Sequence, residues 1–393
     1  MKQKSLVIDA IQNTSNFNYC LLDALAKEKI NLVYATTEFA YESMPVPPGV
    51  KIFPCFFYLA RLANRFIKFR PLRRFLRGAE YPLDLLILLI YILHNRIKVV
   101  HVMYIVAGWL DSRFLKLLQC FGCRVVFTAH NPMPRERRQR KDIQRLSRIY
   151  RSVDHIIVLT HHAGKELQIN FDVPSAKITV IPHGDYNSLF SQYSLNEALA
   201  QAVRKKAAGR RIITFLGIIR PYKGLDYFIE AFPLIKKRLP DSFFLIAGSV
   251  LIGPKKDLKK KLAHSCSAED LWADIRFIPV EDMKAYLSVT DVLVQPYVNA
   301  SQSGNTVMAY AAGIPVISTD VGGLAEMTED GKTGYIIPPK DPPALAEALA
   351  KCFRKDNYNI LSKNARRVAK EKYNWRKIAQ KTTQLYQHLT NIN

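Results

Sequence analysis

Phe215-Leu216-Gly217-Ile218-Ile219-Arg220-Pro221-Tyr222-Lys223-Gly224-Leu225-Asp226 reads as a strand, a tight loop and the start of a helix. Gly217 lets another group approach the backbone closely. Arg220 and Lys223 lie on the loop beyond the strand's carboxyl end, where open α/β sheets bind their ligands. Two cations there suit a diphosphate, since each charge-assisted hydrogen bond is worth about 1.5–3 kcal/mol. The plainer alternative is a pair of exposed cations on a loop.

The same strand–loop–helix pattern returns downstream. Val292-Leu293-Val294-Gln295-Pro296-Tyr297 is followed by Ser301-Gln302-Ser303-Gly304-Asn305-Thr306 and an Ala-rich run to Gly313-Ile314-Pro315. Gly304 and the small hydroxyl residues can aim backbone N–H groups and a helix N-terminus at an anion. Ser and Asn also simply cap helices, so this loop alone is weak evidence. Gly313 and Pro315 form an ordinary helix stop. A third segment, Thr319-Asp320-Val321-Gly322-Gly323-Leu324-Ala325-Glu326 and then Gly331-Lys332-Thr333-Gly334-Tyr335, has glycines at tight turns. Glu326 either serves the site or caps the next helix.

Outward from these segments, strand-like and helix-like stretches alternate along the whole chain. Leu6–Ile11, Leu32–Thr36, Val50–Phe53, Val99–Met103, Val125–Thr128, His155–Thr160 and Ile178–Ile181 form one series of short apolar runs. Ile212–Leu216, Phe243–Ala247, Ile275–Ile278, Val292–Gln295, Pro315–Ser318 and Tyr335–Ile337 form a second. Near-continuous apolar strands between helices indicate parallel sheets covered on both faces. The fold class expected is α/β, with two doubly wound Rossmann-like domains, and 393 residues suit two cores. The first domain spans 1–187 and the second 188–372. Residues 373–393 form a C-terminal helix, with apolar Ile378, Leu385, Tyr386 and Leu389, expected to pack back on the first domain.

Composition narrows the class. Hydrophobic residues make up 49% of the chain, enough for packed cores and too many for wholesale disorder. Six scattered cysteines form no disulfide framework and fit a reducing cytosol. Cys120-Phe-Gly-Cys123 lacks a second CxxC, so it reads as a buried helix end turning into a strand. Leu6-Val7-Ile8 suits a first strand and not a secretory signal. Leu85–Leu93, half the length of a spanning helix and bracketed by Asp84 and His94, reads as a buried helix.

The net charge of +24 is uneven: residues 51–151 hold 21 Lys or Arg against 5 Asp or Glu. Such a patch attracts a polyanion. Within it, segment 56–78 interleaves Arg61, Arg65, Lys68, Arg70, Arg73, Arg74 and Arg77 with Leu62, Phe66, Ile67, Phe69, Leu72, Phe75 and Leu76. A basic helix with such a stripe can lie in a membrane interface, and Pro71 is expected to kink or end it. The alternative is a core-facing helix with a solvated basic face. Arg135–Arg148 adds six Arg and one Lys to the same charge. Nucleic acid fits less well, because stacking platforms on strands and a GXXG clamp are missing.

Taken together, the segments of the second half resemble the retaining glycosyltransferases of family four. The runs FLGIIRPYKGLDYFIEAF and PVISTDVGGLAEMTEDGKTGYIIPP carry the resemblance, with Tyr373-Asn374-Trp375 similar to the family's closing helix. The first half resembles it loosely, through Val126-Phe127-Thr128-Ala129-His130-Asn131 and Val180-Ile181-Pro182-His183-Gly184. The resemblance implies the GT-B fold, two Rossmann-like domains facing a cleft. It implies that Arg220 and Lys223 hold the donor diphosphate and stabilise the leaving group without a metal or other cofactor. It implies that His130 approaches the donor sugar from the first domain. The nucleotide then lies against Gly217, Phe277–Val280 (with Phe277 and Pro279) and Pro296–Thr306, and the acceptor enters from the first domain. In such enzymes the acceptor hydroxyl attacks on the face the leaving group departs from, and a phosphate oxygen takes its proton.

Two departures stand out. The family usually has two glutamates with seven residues between them, and Ala300 and Met308 hold those positions here. Ser301, Gln302, Ser303, Asn305 and Thr306 are left to offer neutral contacts, a Ser-Gln-Ser-Gly variant of the loop. The Gly-Gly pair that often follows the first strand is replaced by Gln12-Asn13-Thr14-Ser15-Asn16. The expected function is transfer of a hexose from a UDP- or GDP-sugar to a glycan or lipid-linked acceptor at the inner face of the cell membrane. The alternatives are a non-catalytic homologue acting as a membrane-associated partner subunit, and a nucleic-acid-binding protein built around residues 56–148.

Overall fold

A computed structural model describes every residue except 1–3, 13, 29, 38–44, 64, 65, 68, 135–138, 252–254, 355, 392 and 393. The chain divides into two compact units. Unit 1 comprises Met1–Gly184 and Trp375–Asn393, and unit 2 comprises Asp185–Asn374.

Unit 1 runs β1 (Lys4–Asp9), α1 (Ser15–Lys27), β2 (Asn31–Thr37), β3 (Val50–Phe56), α2 (Tyr58–Ala63), α3 (Arg70–His94), β4 (Val99–Val102), α4 (Gly108–Cys120), β5 (Arg124–Ala129), α5 (Arg140–Arg151), β6 (His155–Val158), α6 (His161–Phe171) and β7 (Ile178–Val180). Its sheet has the order β3-β2-β1-β4-β5-β6-β7, and every pairing is parallel. The central strands are buried along nearly their whole length, as near-continuous apolar runs require.

Unit 2 runs α7 (Asn187–Phe190), α8 (Glu197–Ala207), β8 (Arg211–Leu216), α9 (Leu225–Arg238), β9 (Ser242–Ala247), α10 (Lys255–Ser265), β10 (Leu271–Asp274), α11 (Val280–Val289), β11 (Val292–Gln295), α12 (Gly304–Ala312), β12 (Val316–Thr319), β13 (Gly334–Ile337), α13 (Pro342–Cys352) and α14 (Asn357–Lys372). Its parallel sheet has the order β10-β9-β8-β11-β12-β13. In both sheets the order reverses beside the first strand of the unit, so each has a switch point there. The last helix, α15 (Trp375–Asn391), packs on α1 in unit 1. His101 anchors it: Nδ1 lies 2.6 Å from Tyr386 Oη and Nε2 lies 2.6 Å from Thr128 Oγ1.

The structure corrects the sequence reading at five places. The helix end at Cys120, expected to be buried, is exposed together with Phe121 and Gly122, and only Cys123 is buried. The strand expected over Ile275–Ile278 lies at Leu271–Asp274, paired with β9. Ile275–Ile278 is instead the loop leading to α11. Pro71 does not kink or end a helix. It stands in the first turn of α3, where its missing N–H costs nothing. Leu85–Leu93 is helical but only half buried: Leu88 and Ile92 are fully enclosed, while Leu86, Ile87 and Ile90 are 50–59% exposed. Glu326 does not cap the next helix. It lies within a 3-10 turn, Gly322–Met327, and Asp341 caps α13 by accepting from Ala344 N at 2.9 Å. Arg65, Lys68, Asn13 and Arg135–Arg138 lie outside the described residues, as does the side chain of Arg70. Among the described residues no helix is long and apolar enough to cross a membrane.

Candidate functional site

Unit 2 gathers most of the expected site at the carboxyl ends of β8 and β11. Gly217 follows β8 with φ of 105°, a conformation that side chains disfavour. A Cβ there would lie 3.0 Å from Asn305 Nδ2 and 3.4 Å from Lys223 Nζ. Two expected site residues of one loop, Gly217 and Lys223, therefore meet a third that is distant in sequence, Asn305. Asn305 Nδ2 donates to Leu216 O at 2.5 Å and ties the first turn of α12 to the end of β8.

The Arg220–Lys223 loop forms a 3-10 turn, closed by Lys223 N donating to Arg220 O at 3.0 Å. Val298 N donates to Tyr222 O at 2.8 Å and fixes the loop on the segment after β11. Lys223 Nζ stands 5.5 Å from the ring centroid of Tyr297, which orients the ammonium. Arg220 and Lys223 are both part-buried.

The Ser301–Thr306 run divides in two. Thr306 is fully buried and donates to Gln295 Oε1 at 2.7 Å, while Gln295 Nε2 donates to Ser303 Oγ at 2.8 Å. Both hydroxyls are thus engaged inward. Ser303 precedes α12 without capping it through its side chain. The orphan N–H groups and positive end of α12 begin at Gly304, on the loop with Gln302. Gln302 Oε1 is buried with no hydrogen-bond partner among the described residues. Ser301 is buried and has a polar partner of its own. Ala300 and Met308 are 1% and 6% exposed and belong to the apolar cores.

Beyond β10, Phe277 presents its ring at 63% exposure and Pro279 immediately precedes α11. Arg276 holds this loop. It pairs with Asp274 Oδ2 at 2.9 Å and with Asp282 in the first turn of α11, and Nη1 donates to Phe277 O at 3.2 Å.

His130 lies in unit 1, just past the end of β5. Its ring meets Phe17 edge-on at 4.8 Å, and its Nε2 is buried with no partner among the described residues. Burial above all, helped by His183 and His101, pushes its pKa down to about 3. The imidazole is therefore neutral at neutral pH, able to share one hydrogen bond but not to act as a general acid. His183, also on Phe17, carries its proton on Nδ1 and donates to Gly184 O at 2.6 Å.

Sequence reasoning missed the supports of this site: Gln295, Tyr297 and Arg276 in unit 2, and Phe17 under His130. Tyr297 and Gln295 stand in the strand-end run already singled out, which was the available signal. Phe17 had none, because it lies far from His130 in sequence. Among the described residues no group of three or more His, Cys, Asp or Glu is placed to hold a metal.

Residues 197–374 match the family model for glycosyl transferases group 1, and residues 15–184 match that for Glycosyltransferase Family 4. An uncharacterised glycosyltransferase of Methanocaldococcus jannaschii is 26% identical over 59% of this chain and 59% of its own length. A D-inositol 3-phosphate glycosyltransferase of Paenarthrobacter aurescens is 25% identical over 75% of this chain and 73% of its own. Among several such curated relatives the match spans 57–65% of their length. Sucrose-phosphate synthase from Thermosynechococcus elongatus superposes with a TM-score of 0.74 at 19% identity, covering both chains in full. Anabaena HepE in complex with UDP and glucose superposes at 0.72 and 15% identity, over 98% of this chain and all of that one. With a glycosyltransferase model matched on each unit and the GT-B fold around both, the chain belongs broadly to the family-four glycosyltransferases.

Proposed function

We propose that this chain is a retaining, metal-independent hexosyltransferase. It moves a hexose from a UDP- or GDP-sugar to a glycan or lipid-linked acceptor in cell-surface polysaccharide or glycolipid synthesis. The observation that carries this reading is the meeting of Lys223, Gly217 and Asn305 at the start of α12. A cation, an open backbone and a helix N-terminus together make a site for a diphosphate. Relatives named as D-inositol 3-phosphate glycosyltransferases, and a structural neighbour holding UDP and glucose, support a nucleotide-sugar donor.

In this mechanism Arg220 and Lys223 neutralise the charge that develops on the departing diphosphate. Exposed Phe277 offers a face for the nucleobase, and Gln302 Oε1 accepts from a donor hydroxyl. His130, neutral, shares a hydrogen bond with the sugar and moves no proton. The acceptor hydroxyl attacks the anomeric carbon on the face the leaving group departs from. The carbon–oxygen bond to the diphosphate breaks, and a phosphate oxygen takes the acceptor's proton. The cationic segment 56–78 supports an acceptor at an anionic membrane surface, with the enzyme peripheral on its cytoplasmic side.

One observation favours a second reading, a partner subunit without activity. Where the family carries glutamates, Ala300 and Met308 are packed in the cores and offer no polar contact. Thermal-shift measurement with UDP, GDP, ADP and their sugar conjugates tests both. A ligand at about 100 times its Kd adds about 2.7 kcal/mol, which moves the midpoint by a few degrees. A shift with one series, weakened at least about tenfold by Lys223→Ala, and slow donor hydrolysis without acceptor fit the enzyme. No shift with any nucleotide brings the partner-subunit reading forward.

A further inference from the structure

Unit 1 has its switch point between β1 and β4, the neighbours at which its strand order reverses. Open α/β sheets take their ligands in the crevice outside the carboxyl ends of such strands. One wall of that crevice is the turn from β1 to α1, and the other is the segment from β4 to α4. In doubly wound domains the first of these turns is a common phosphate site, at the N-terminus of its helix. Here the chain fills that place itself. Asp9, the last residue of β1, is fully buried. Its Oδ2 accepts from Asn18 Nδ2 at 2.7 Å and from Thr14 N at 3.3 Å, and its Oδ1 accepts from Ile11 N at 3.4 Å. The carboxyl group thus lies at the positive end of α1, on N–H groups of the turn. Burial, with Asp9 adding to it, pushes the Tyr34 phenol up, so further negative charge is disfavoured beside it.

The second wall repeats the arrangement. Asp111, 4% exposed in the first turn of α4, accepts from Ala107 N at 2.6 Å through Oδ2 and from Tyr81 Oη at 2.5 Å through Oδ1. Neither wall carries a cation of its own: the sequence has no Lys or Arg between Lys4 and Lys27, or between Lys98 and Arg113. In a chain of net charge +24 both stretches depart from their surroundings. Arg145 reaches the second wall from α5, but its Nη2 donates to Ile105 O and Val106 O, both at 2.9 Å. What the crevice offers is neutral. Gln12 Nε2 donates to Thr37 O at 2.7 Å, and its Oε1 is buried with no partner among the described residues. Tyr104, two residues beyond β4, is 37% exposed.

We propose that unit 1 takes an uncharged sugar at this switch point and discriminates against a phosphorylated one, with Asp9 as the residue that sets the choice. The proposal rests on the glycosyltransferase reading above and narrows its acceptor to a glycan whose entering sugar bears hydroxyls alone. Gln12 Oε1 accepts from one of those hydroxyls, and the Tyr104 ring packs on a C–H face of the sugar. A phosphate brought to the same place sets its oxygens against Asp9, at two helix starts where carboxyl groups already hold donors and no free-standing cation pairs with it.

The test uses the full chain carrying Lys223→Ala, so that phosphate held by unit 2 does not mask unit 1. The probes are the methyl α-glycosides of glucose, galactose and mannose, each with and without a 6-phosphate, titrated by saturation-transfer NMR. The neutral members are expected to bind at least about tenfold more tightly than their phosphates. Asp9→Asn keeps an oxygen for Asn18 and Thr14 and removes the charge. It should tighten the phosphates at least about threefold and change the neutral members by less than that. Equal or tighter binding of the phosphates before Asp9 is changed overturns the proposal, and that comparison needs no folded Asp9 variant. Failure of every neutral glycoside to bind overturns it too. So does a preference for neutral sugars that Asp9→Asn leaves unchanged, with circular dichroism showing that the variant is folded. The enzyme reading is tested separately, by the nucleotide shifts of the wild type. A shift together with a phosphate preference sinks the neutral-sugar proposal alone, whereas a neutral preference without any shift sinks the enzyme reading alone.

Discussion

Gly184 lies directly beneath the indole of Trp375: a Cβ placed on it would sit 2.3 Å from Cε2 and 2.5 Å from Cδ2. Gly184 is the last residue of unit 1 before the chain passes to unit 2, and Trp375 is the first after it returns. The indole has little room to yield, since Phe17 meets it at 5.3 Å and also touches His130 and His183. Gly184→Ala is therefore expected to destabilise unit 1 by about 2 kcal/mol, the scale of overpacking a filled site. Chemical denaturation followed by Trp fluorescence measures it. Unchanged stability would mean that the indole moves aside freely.

The architecture was legible because parallel strands buried on both faces leave continuous apolar runs. The exception shows the limit. Leu271-Trp272-Ala273-Asp274 is the strand, yet Ile275-Arg276-Phe277-Ile278 is richer in strand-forming residues. What decides is the pairing with β9 and the tie of Arg276 to Asp274 and Asp282, neither of which composition reports. Leu85–Leu93 failed for a related reason. Nine apolar residues in a row have no periodicity to say which face looks outward. At the candidate site, Gly217 and Lys223 were readable from a strand-end loop, but the direction in which each hydroxyl of 301–306 points was not.

Thr306 makes that last point testable. Its hydroxyl is spent on Gln295, whose amide in turn holds Ser303. Thr306→Val keeps the shape and strands Gln295 Oε1 in a buried place, at a cost of about 1–3 kcal/mol. Stability should fall by that amount, and nucleotide affinity by calorimetry should change less than about threefold. A loss of affinity as large as that of Lys223→Ala would return Thr306 to the ligand contacts.

Asp84 gives a pH dependence of one sign. Burial, with Glu80 adding to it, lifts its pKa to about 6 against the opposing Phe57 N–H. The folded state therefore binds a proton that the unfolded chain, near pKa ~3.9, has released. The stabilising effect is fully present below about pH 4 and lost as pH rises through about 6. Asp84→Asn keeps an oxygen for Phe57 N–H and removes the charge. It should stabilise the protein by about 1 kcal/mol at pH 8 and leave it unchanged near pH 4. Urea titrations at the two pH values check this, and equal effects at both would dismiss the charge as the cause.

The buried histidines of unit 1 act in the opposite direction. Burial lowers His101 and His130 to about 3 and His183 to about 4. The unfolded chain takes up these protons below pH ~6.5, while the folded state refuses them. Stability from this source is present above about pH 6.5 and lost as pH falls, by at most about 1.4 kcal/mol per pH unit for each histidine. Unit 1 should then unfold in mild acid, although Asp84 pulls the other way over part of the same range. His101→Gln separates the two. Its imidazole sits between Thr128 and Tyr386, so the variant will cost stability at every pH. The informative quantity is the slope of stability against pH between about 4 and 6, which should fall by about one proton. A slope equal to that of the wild type would show that His101 is not among the groups whose protonation unfolds the unit.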